Sequence, residues 1–301
     1  MNKAKKARKN LVFKLIAFAV LLAYTLILFG MLGWGFISSF KHALDFSLHS
    51  DKLFPTYAGF QWQNYSTAYL IMHIVVDAAD GSSRYVYMEE MLFNSFLWVF
   101  VGAFLQVFTT MLVAYCCALF SKHTFSKVLY FTVVIAMTLP IIGSLPSQMS
   151  VISALGLYDN LLVIPFLKIN FMSSYFLVFY GIWMAVPTSY REAAEIDGAG
   201  HMTVVFKVLM PFISNTMIAV FILSVIGLWN DYATPMMFLP SNPIVAQGLF
   251  DLMNGQSGRD SRINDAVGLA GAFITALPTL ALFIIFRERI MTNVTMGGLK
   301  G

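Results

Sequence analysis

Pro187-Thr188-Ser189-Tyr190-Arg191-Glu192-Ala193-Ala194-Glu195-Ile196-Asp197-Gly198-Ala199-Gly200 is the stretch on which the reading of this chain turns. Its first part is predicted to be a short helix. Thr188 or Ser189 offers an N-cap oxygen, and Glu192, one turn in, sits where a carboxylate favours the N-terminal end of the helix dipole. Ala193 and Ala194 give a small surface for close approach, beside Tyr190 and Ile196. Gly198 lets the chain leave the helix through a conformation that side chains disfavour. His201 to Leu209 forms a second segment, and Pro211 is placed to open the apolar run behind it. The stretch therefore reads as helix, glycine turn, helix. The residues alone leave two uses open: an interfacial helix that caps a bundle, or a docking element for the groove of a soluble partner.

The surroundings of this stretch are those of a membrane protein. Of 301 residues, 58% are hydrophobic and 11% charged, where soluble domains carry about 25% charge. A surface so poor in charge is not wetted, and the mean hydropathy of +0.74 agrees. An ordinary soluble enzyme is excluded. Apolar stretches long enough for a hydrocarbon core of about 30 Å recur six times, over residues 11–36, 91–120, 128–154, 161–186, 211–239 and 266–286. The first is longer than a signal-peptide core and leads through Gly33-Trp34-Gly35-Phe36 to Lys41 with no small-residue cleavage site.

The net charge of +4 reports orientation rather than nucleic-acid binding. Of the 19 Lys and Arg residues, thirteen fall on one side of these spans: the tail Lys3 to Lys9, Lys14, Lys122, Lys127, Arg191, Lys207, Arg287, Arg289 and Lys300. Lys41, Lys52, Arg84, Arg259 and Arg262 fall on the other, and Lys168 is left inside or at the edge of the fourth span. The positive-inside rule then puts both termini in the cytoplasm. The expected organisation is a basic tail over 1–10, a first transmembrane helix over 11–37 and an extracytoplasmic loop over 38–90. A five-helix core over 91–286 follows, with a cytoplasmic loop 187–211 and an extracytoplasmic loop 240–265, and then a cytoplasmic tail over 287–301.

Several chemistries are missing from the sequence. There is no phosphate-binding G-x-x-x-x-G-K-[ST], no G-x-S-x-G elbow, and no Cys/His spacing suited to a metal. Cys116 and Cys117 are adjacent in an apolar run and suggest no disulfide framework. Asp231 is the exception among the carboxylates, lying near the middle of the fifth span. With Asn230 it reads as lining a path or holding a helix break, and the second is favoured. Lys168 reads as snorkelling to the interface. Trp183, Phe221 and Trp229 read as bundle packing rather than sugar stacking.

The spacing Glu192-Ala193-Ala194, three residues, Gly198, nine residues, Val208-Leu209-Met210-Pro211 resembles the E-A-A-x-x-x-G, nine residues, I-x-L-P signature of ABC importer permeases. Val208 and Met210 stand where the signature has Ile and Leu. Other segments resemble the carbohydrate branch: Ile196-Asp197-Gly198-Ala199, Leu228-Trp229-Asn230-Asp231-Tyr232, Ala114-Tyr115 through Ser121-Lys122, and Gly156-Leu157-Tyr158-Asp159-Asn160. The end of the chain, Met296-Gly297-Gly298-Leu299-Lys300-Gly301, looks like the tail of the maltose-transporter G-type subunit. The resemblance spans roughly residues 90–301.

It implies an all-α polytopic protein of six transmembrane helices with the type I ABC importer permease fold. It implies no catalysis and no cofactor on this chain, ATP and magnesium being bound by two separate ATPase subunits. The other implied partners are a second homologous permease, an extracytoplasmic solute-binding protein, a carbohydrate substrate and the lipid bilayer. Residues 189–200 become the coupling helix. Tyr190, Glu192, Ala193, Ala194, Asp197, Gly198 and Pro211 become the ATPase-coupling set, with Glu192 as ion-pair partner and the alanines as the close-packed face. Gly297, Gly298, Lys300 and Gly301 would reach the ATPase interface, and Trp229, Asn230 and Asp231 would border the translocation path. The competing readings are an ABC permease for a non-sugar solute and, from another class, a secondary transporter or membrane enzyme, for which neither an inverted repeat nor an intramembrane acid–base cluster is evident.

Overall fold

A computed structural model describes residues 2–49, 51–77, 81–139, 143–173, 175–254 and 262–296. It is mostly helical and divides into two compact units, residues 1–72 with 251–275 and residues 73–250 with 276–301.

In the first unit, helix α1 (Asn2–Ser38) is a continuous apolar rod beyond its basic start. Its Leu11–Ser38 segment is long enough to cross a membrane and its apolar side chains stay exposed, which suits a solvent of lipid tails rather than water. The segment after it folds on itself. Helices α2 (Ala43–Leu48) and α3 (Gln63–Ile71) follow, and the start of α3 packs on Phe40, whose ring lies 4.7 Å from that of Trp62 and 5.0 Å from that of Tyr65. The Asn64 amide donates to the Ser39 and Lys41 carbonyls. Buried Lys41 donates to the Lys52 carbonyl. Buried Asp45 accepts from both the backbone N–H and the hydroxyl of Thr56. Satisfied buried polar groups of this kind belong to a built structure rather than to slack chain.

The second unit begins with an antiparallel hairpin, β1 (His73–Asp77) and β2 (Ser83–Tyr87), in which His73 pairs with Tyr87 and Val75 with Tyr85. This is a departure from an all-α fold. The signal was in the sequence: two five-residue runs rich in Val and Tyr, separated by five residues that include Asp80 and Gly81. Helix α4 (Met88–Leu119) follows, interrupted by a π-turn at Leu97–Val101. It is the axis of the unit. Its first half enters a core with Ile152, Val225 and Phe238. Its second half enters another with Phe176, Phe179, Val204 and Ile213.

Two predicted apolar stretches are not single helices. Residues 128–154 hold parts of α5 (Thr124–Thr138) and α6 (Ser144–Ala154), and Gly143, just before α6, is left-handed with φ 82°. Residues 161–186 hold a 3-10 segment, Ile164–Lys168, and then α7 (Tyr175–Ala185). Hydropathy cannot see these breaks, because apolar residues continue across them. The short helix α8 (Thr188–Ile196) precedes α9 (His201–Trp229). Pro211 stands in the first turn of the α-helical stretch Met210–Trp229, the position expected from the sequence, but that stretch continues an earlier helical run. The proline lies directly after a π-turn at Val204–Leu209 and one residue of α-helix. A proline has no N–H and crowds the carbonyl one turn back; the widened π-turn is where that mismatch falls. Helices α10 (Ala233–Phe238), α11 (Val245–Met253) and α12 (Asp265–Met296) complete the chain. Asn264 caps α12, its side-chain oxygen accepting from Ala266 and Val267. Among the described residues four helices are long and apolar enough to cross a membrane: Leu11–Ser38, Met88–Leu119, His201–Trp229 and Asp265–Glu288.

Candidate functional site

Helix α8 carries the first set of candidates. Its N-cap is Pro187, with extended backbone and no side-chain cap, so neither Thr188 nor Ser189 plays the part assigned from sequence. Its end follows the glycine-turn expectation closely. Gly198 has φ 78°. The Gly198 N–H donates to the Glu195 carbonyl at 3.1 Å and the Ala199 N–H to the Ala194 carbonyl at 3.0 Å. This pair of bonds is a Schellman motif, which satisfies carbonyls that the helix end leaves free.

The two alanines face different ways. Ala194 and Ala199 pack on the core formed by α4, α7 and α9. Ala193 is exposed, with Glu192, Glu195, Asp197 and Gly198. Ile196 is 85% exposed, an unusual state for an isoleucine on a short polar helix. Arg191 pairs with Glu195 one turn on, at 3.6 Å. Glu192 makes no ion pair among the described residues and borders a cleft of about 440 Å³ between α8 and the end of α4, shared with Tyr115, Lys122 and Arg191. Tyr190 meets Phe212 of α9. Pro211 is exposed beside it. The outward surface of α8 is thus a lone isoleucine and a small residue set among carboxylates, anchored from behind by Ala194 and Tyr190. Gly297, Gly298, Lys300 and Gly301 lie outside the described residues.

The second set lies at the other end of α9. Trp229 is buried against Phe96 and the core of Trp98, Val225 and Phe238. Trp183 is buried too, its indole N–H donating to the Met111 carbonyl, and Phe221 is partly buried between the two cores. All three pack, as expected. Asn230 closes α9, its amide donating to the Ile226 carbonyl at 2.8 Å. Asp231 begins the break before α10 and accepts from the Thr234 N–H at 3.0 Å. Its other oxygen faces Lys168, Nζ to Oδ2, at 3.5 Å. Lys168 is therefore paired rather than snorkelling alone. The partners are 63 residues apart in sequence. The available hint was two opposite charges, each stranded in an apolar stretch. Trp98, over whose ring the Lys168 ammonium lies, had no distinguishing sequence signal.

The loop after α10 is fastened to the same unit. The Asn94 amide donates to the Pro243 carbonyl, the Val245 N–H to the Ser95 hydroxyl, and the Ser241 N–H to the Asp159 carboxylate. Both cysteines are free thiols.

Helices long and apolar enough to cross a membrane thus carry between them a short, exposed helix ended by a glycine turn. Comparison with known proteins makes this specific. The family described as binding-protein-dependent transport system inner membrane component matches residues 106–288, and the chain belongs to that family. It is 24% identical over 290 residues to the diacetylchitobiose uptake system permease protein NgcG of Streptomyces coelicolor, covering 95% of this chain and 88% of that one. It is 26% identical over 216 residues to the sulfoquinovosyl glycerol transport system permease protein SmoH of Agrobacterium fabrum, covering 70% and 73%. A chain in the crystal structure of a bacterial ABC transporter that imports the acidic polysaccharide alginate has the same fold, with a TM-score of 0.69 over 93% of this chain and 97% of that one, at 16% identity.

Proposed function

We propose that this chain is the transmembrane permease subunit of an ABC importer that brings a sugar or oligosaccharide into the cytoplasm. ATP hydrolysis takes place on two separate ATPase subunits, and the chain itself catalyses nothing. The observation that carries the reading is α8. The Glu192-Ala193-Ala194 start of the importer signature falls on an exposed helix whose Schellman end is the signature's Gly198, inside the region that matches the family. Seated in a cleft of an ATPase, that helix would receive the closing motion through Ala193, Ile196 and Glu192. It would pass the motion to α9 through Tyr190 and Ala194.

The sugar assignment draws on relatives whose names specify diacetylchitobiose and sulfoquinovosyl glycerol uptake. It draws also on the carbohydrate-type segments around Asp197 and Asp231. The chain would cross a bacterial or archaeal cytoplasmic membrane six times with both termini inside, a topology the Lys and Arg distribution supports. The breaks near Gly143 and after Lys168 would then lie within or beside the crossings of α5 and α7. A second homologous permease would complete the pathway, a solute-binding protein would deliver the sugar from outside, and residues 297–301 would reach the ATPase interface.

The test is to purify the tagged chain from its native membrane, identify its companions by mass spectrometry, and screen oligosaccharides against the co-purifying or co-encoded binding protein. A second permease, an ATPase and saturable sugar binding are expected. A purified chain that transports with no ATPase present, or a binding protein that takes only a peptide or amino acid, contradicts the reading.

A further inference from the structure

Three stretches of irregular backbone meet at one ion pair. The π-turn Leu97–Val101 of α4 carries Trp98. The 3-10 segment Ile164–Lys168 ends on Lys168. Asp231 lies in the break between Trp229, the end of α9, and Ala233, the start of α10. Lys168 Nζ is 3.5 Å from Asp231 Oδ2 and 5.0 Å from the centre of the Trp98 ring. Gly102, one turn beyond Trp98, makes room for the arrangement: a Cβ there would stand 3.1 Å from the Leu228 side chain and 3.4 Å from that of Lys168.

The location is informative. The far end of α4, at Leu119, borders the cleft beside α8. About 31 Å of helix, at 1.5 Å per residue, separates Leu119 from Trp98. That is roughly one hydrocarbon thickness, so in a membrane crossed by α4 the ion pair would lie near the face opposite α8. The two side chains are 22% and 24% exposed. The pair ties together two segments 63 residues apart in the chain. Mid-helix π and 3-10 segments are where helices hinge. Asp231 also accepts the Thr234 N–H, so movement of its carboxylate is tied to the first turn of α10.

We propose that Lys168 and Asp231 form a latch that is closed in this conformation and opens when the outer ends of α4 and α9 separate during transport. Trp98 holds the ammonium on the 3-10 side while the carboxylate leaves with α10. The latch rests on the importer reading above, since it needs a bundle that opens alternately to its two faces. It adds to that reading a specific pair of residues that resists opening until the loaded binding protein docks.

The test uses the complete transporter in proteoliposomes, with its ATPases, partner permease and binding protein. Lys168→Met and Asp231→Asn are each expected to raise ATPase activity without binding protein about two- to fivefold. That is the range allowed by a partly exposed ion pair, the cation–π contact being kept in both states. Lys168→Asp combined with Asp231→Lys is expected to bring this basal rate back toward that of the unmodified complex. Asp231→Glu keeps the charge and is expected to stay within about twofold; it serves if the neutral variants do not assemble. Normally assembled Lys168→Met and Asp231→Asn with unmodified basal rates overturn the latch, as does an Asp231→Glu rate as high as the neutral variants are expected to show. An unmodified complex that takes up sugar while the variants behave like it counts against the latch alone. An unmodified complex without ATP-driven uptake counts against the importer reading and the latch together.

Discussion

The ring of Tyr190 lies 4.7 Å from that of Phe212, centre to centre, with the planes 47° apart. Tyr190 belongs to the first turn of the exposed helix α8. Phe212 follows the π-turn of α9. The contact therefore joins the exposed helix α8 to α9. Aromatic pairs of this kind are worth about 0.5–1.5 kcal/mol beyond the area they bury, enough to influence how firmly α8 is held.

Tyr190→Ala is expected to lower ATP-driven uptake about fivefold, the rate equivalent of roughly 1 kcal/mol of lost contact. The amount of complex in the membrane should be unchanged, and Tyr190→Phe should behave like the unmodified chain. Uptake assays on matched amounts of complex decide it. An unaffected Tyr190→Ala complex removes the ring contact from the coupling route.

Gly198 holds φ at 78°, and its N–H bonds to Glu195. Gly198→Ala keeps the N–H but places a side chain in left-handed backbone, at a cost of about 1–2 kcal/mol. Gly198→Pro also loses the bond and cannot adopt the angle. Graded loss of uptake is expected, partial for alanine and complete for proline, while membrane insertion persists. Equal, full uptake by both would show that the end of α8 carries no force.

Asp45 predicts a pH effect away from the membrane. The Thr56 hydroxyl bonded to its carboxylate, helped by backbone N–H groups and opposed by burial, holds its pKa below the usual value of 3.8. A depressed native pKa means that stability is present above the unfolded pKa and is lost as pH falls through the native one. The segment 38–72 is expected to resist proteolysis at neutral pH and to loosen in acid below pH 3.8. In Thr56→Val the same loosening should begin at higher pH. Identical acid profiles for the two chains would contradict this account of the loop.

Much of this was legible in the sequence, and the gaps have physical causes. The length and apolarity of α1 and the glycine end of α8 are local properties, written in hydropathy and in one backbone angle. The breaks at Gly143 and Lys168, and the π-turns at Trp98 and before Pro211, change hydrogen-bond register without changing composition. No hydropathy window registers them. The opposite facing of Ala193 and Ala194 depends on where α8 rests on α9. The Lys168–Asp231 pair depends on which helices meet. The β-hairpin was signalled by the Val- and Tyr-rich runs around Val75 and Tyr85, which hydropathy registers only as part of a long loop between two apolar spans.

Orientation is tested by labelling. In a chain with Cys116 and Cys117 replaced by Ser, Ser66→Cys should react with a membrane-impermeant maleimide in intact cells. Ile196→Cys should react only after permeabilisation. Both positions are exposed in the isolated chain, and expressing it without the ATPases keeps Ile196 uncovered, so access is limited by the membrane alone. The reverse pattern would invert the topology and place α8 where no ATPase exists.

The most direct test of the central claim is sugar accumulation in proteoliposomes, measured with the complete complex, with the complex carrying Glu192→Lys, and with this chain alone. The account predicts ATP-dependent accumulation by the first, little or none by the second at equal protein, and none by the third. Nucleotide-free accumulation by the isolated chain, or full uptake by the Glu192→Lys complex, would contradict it.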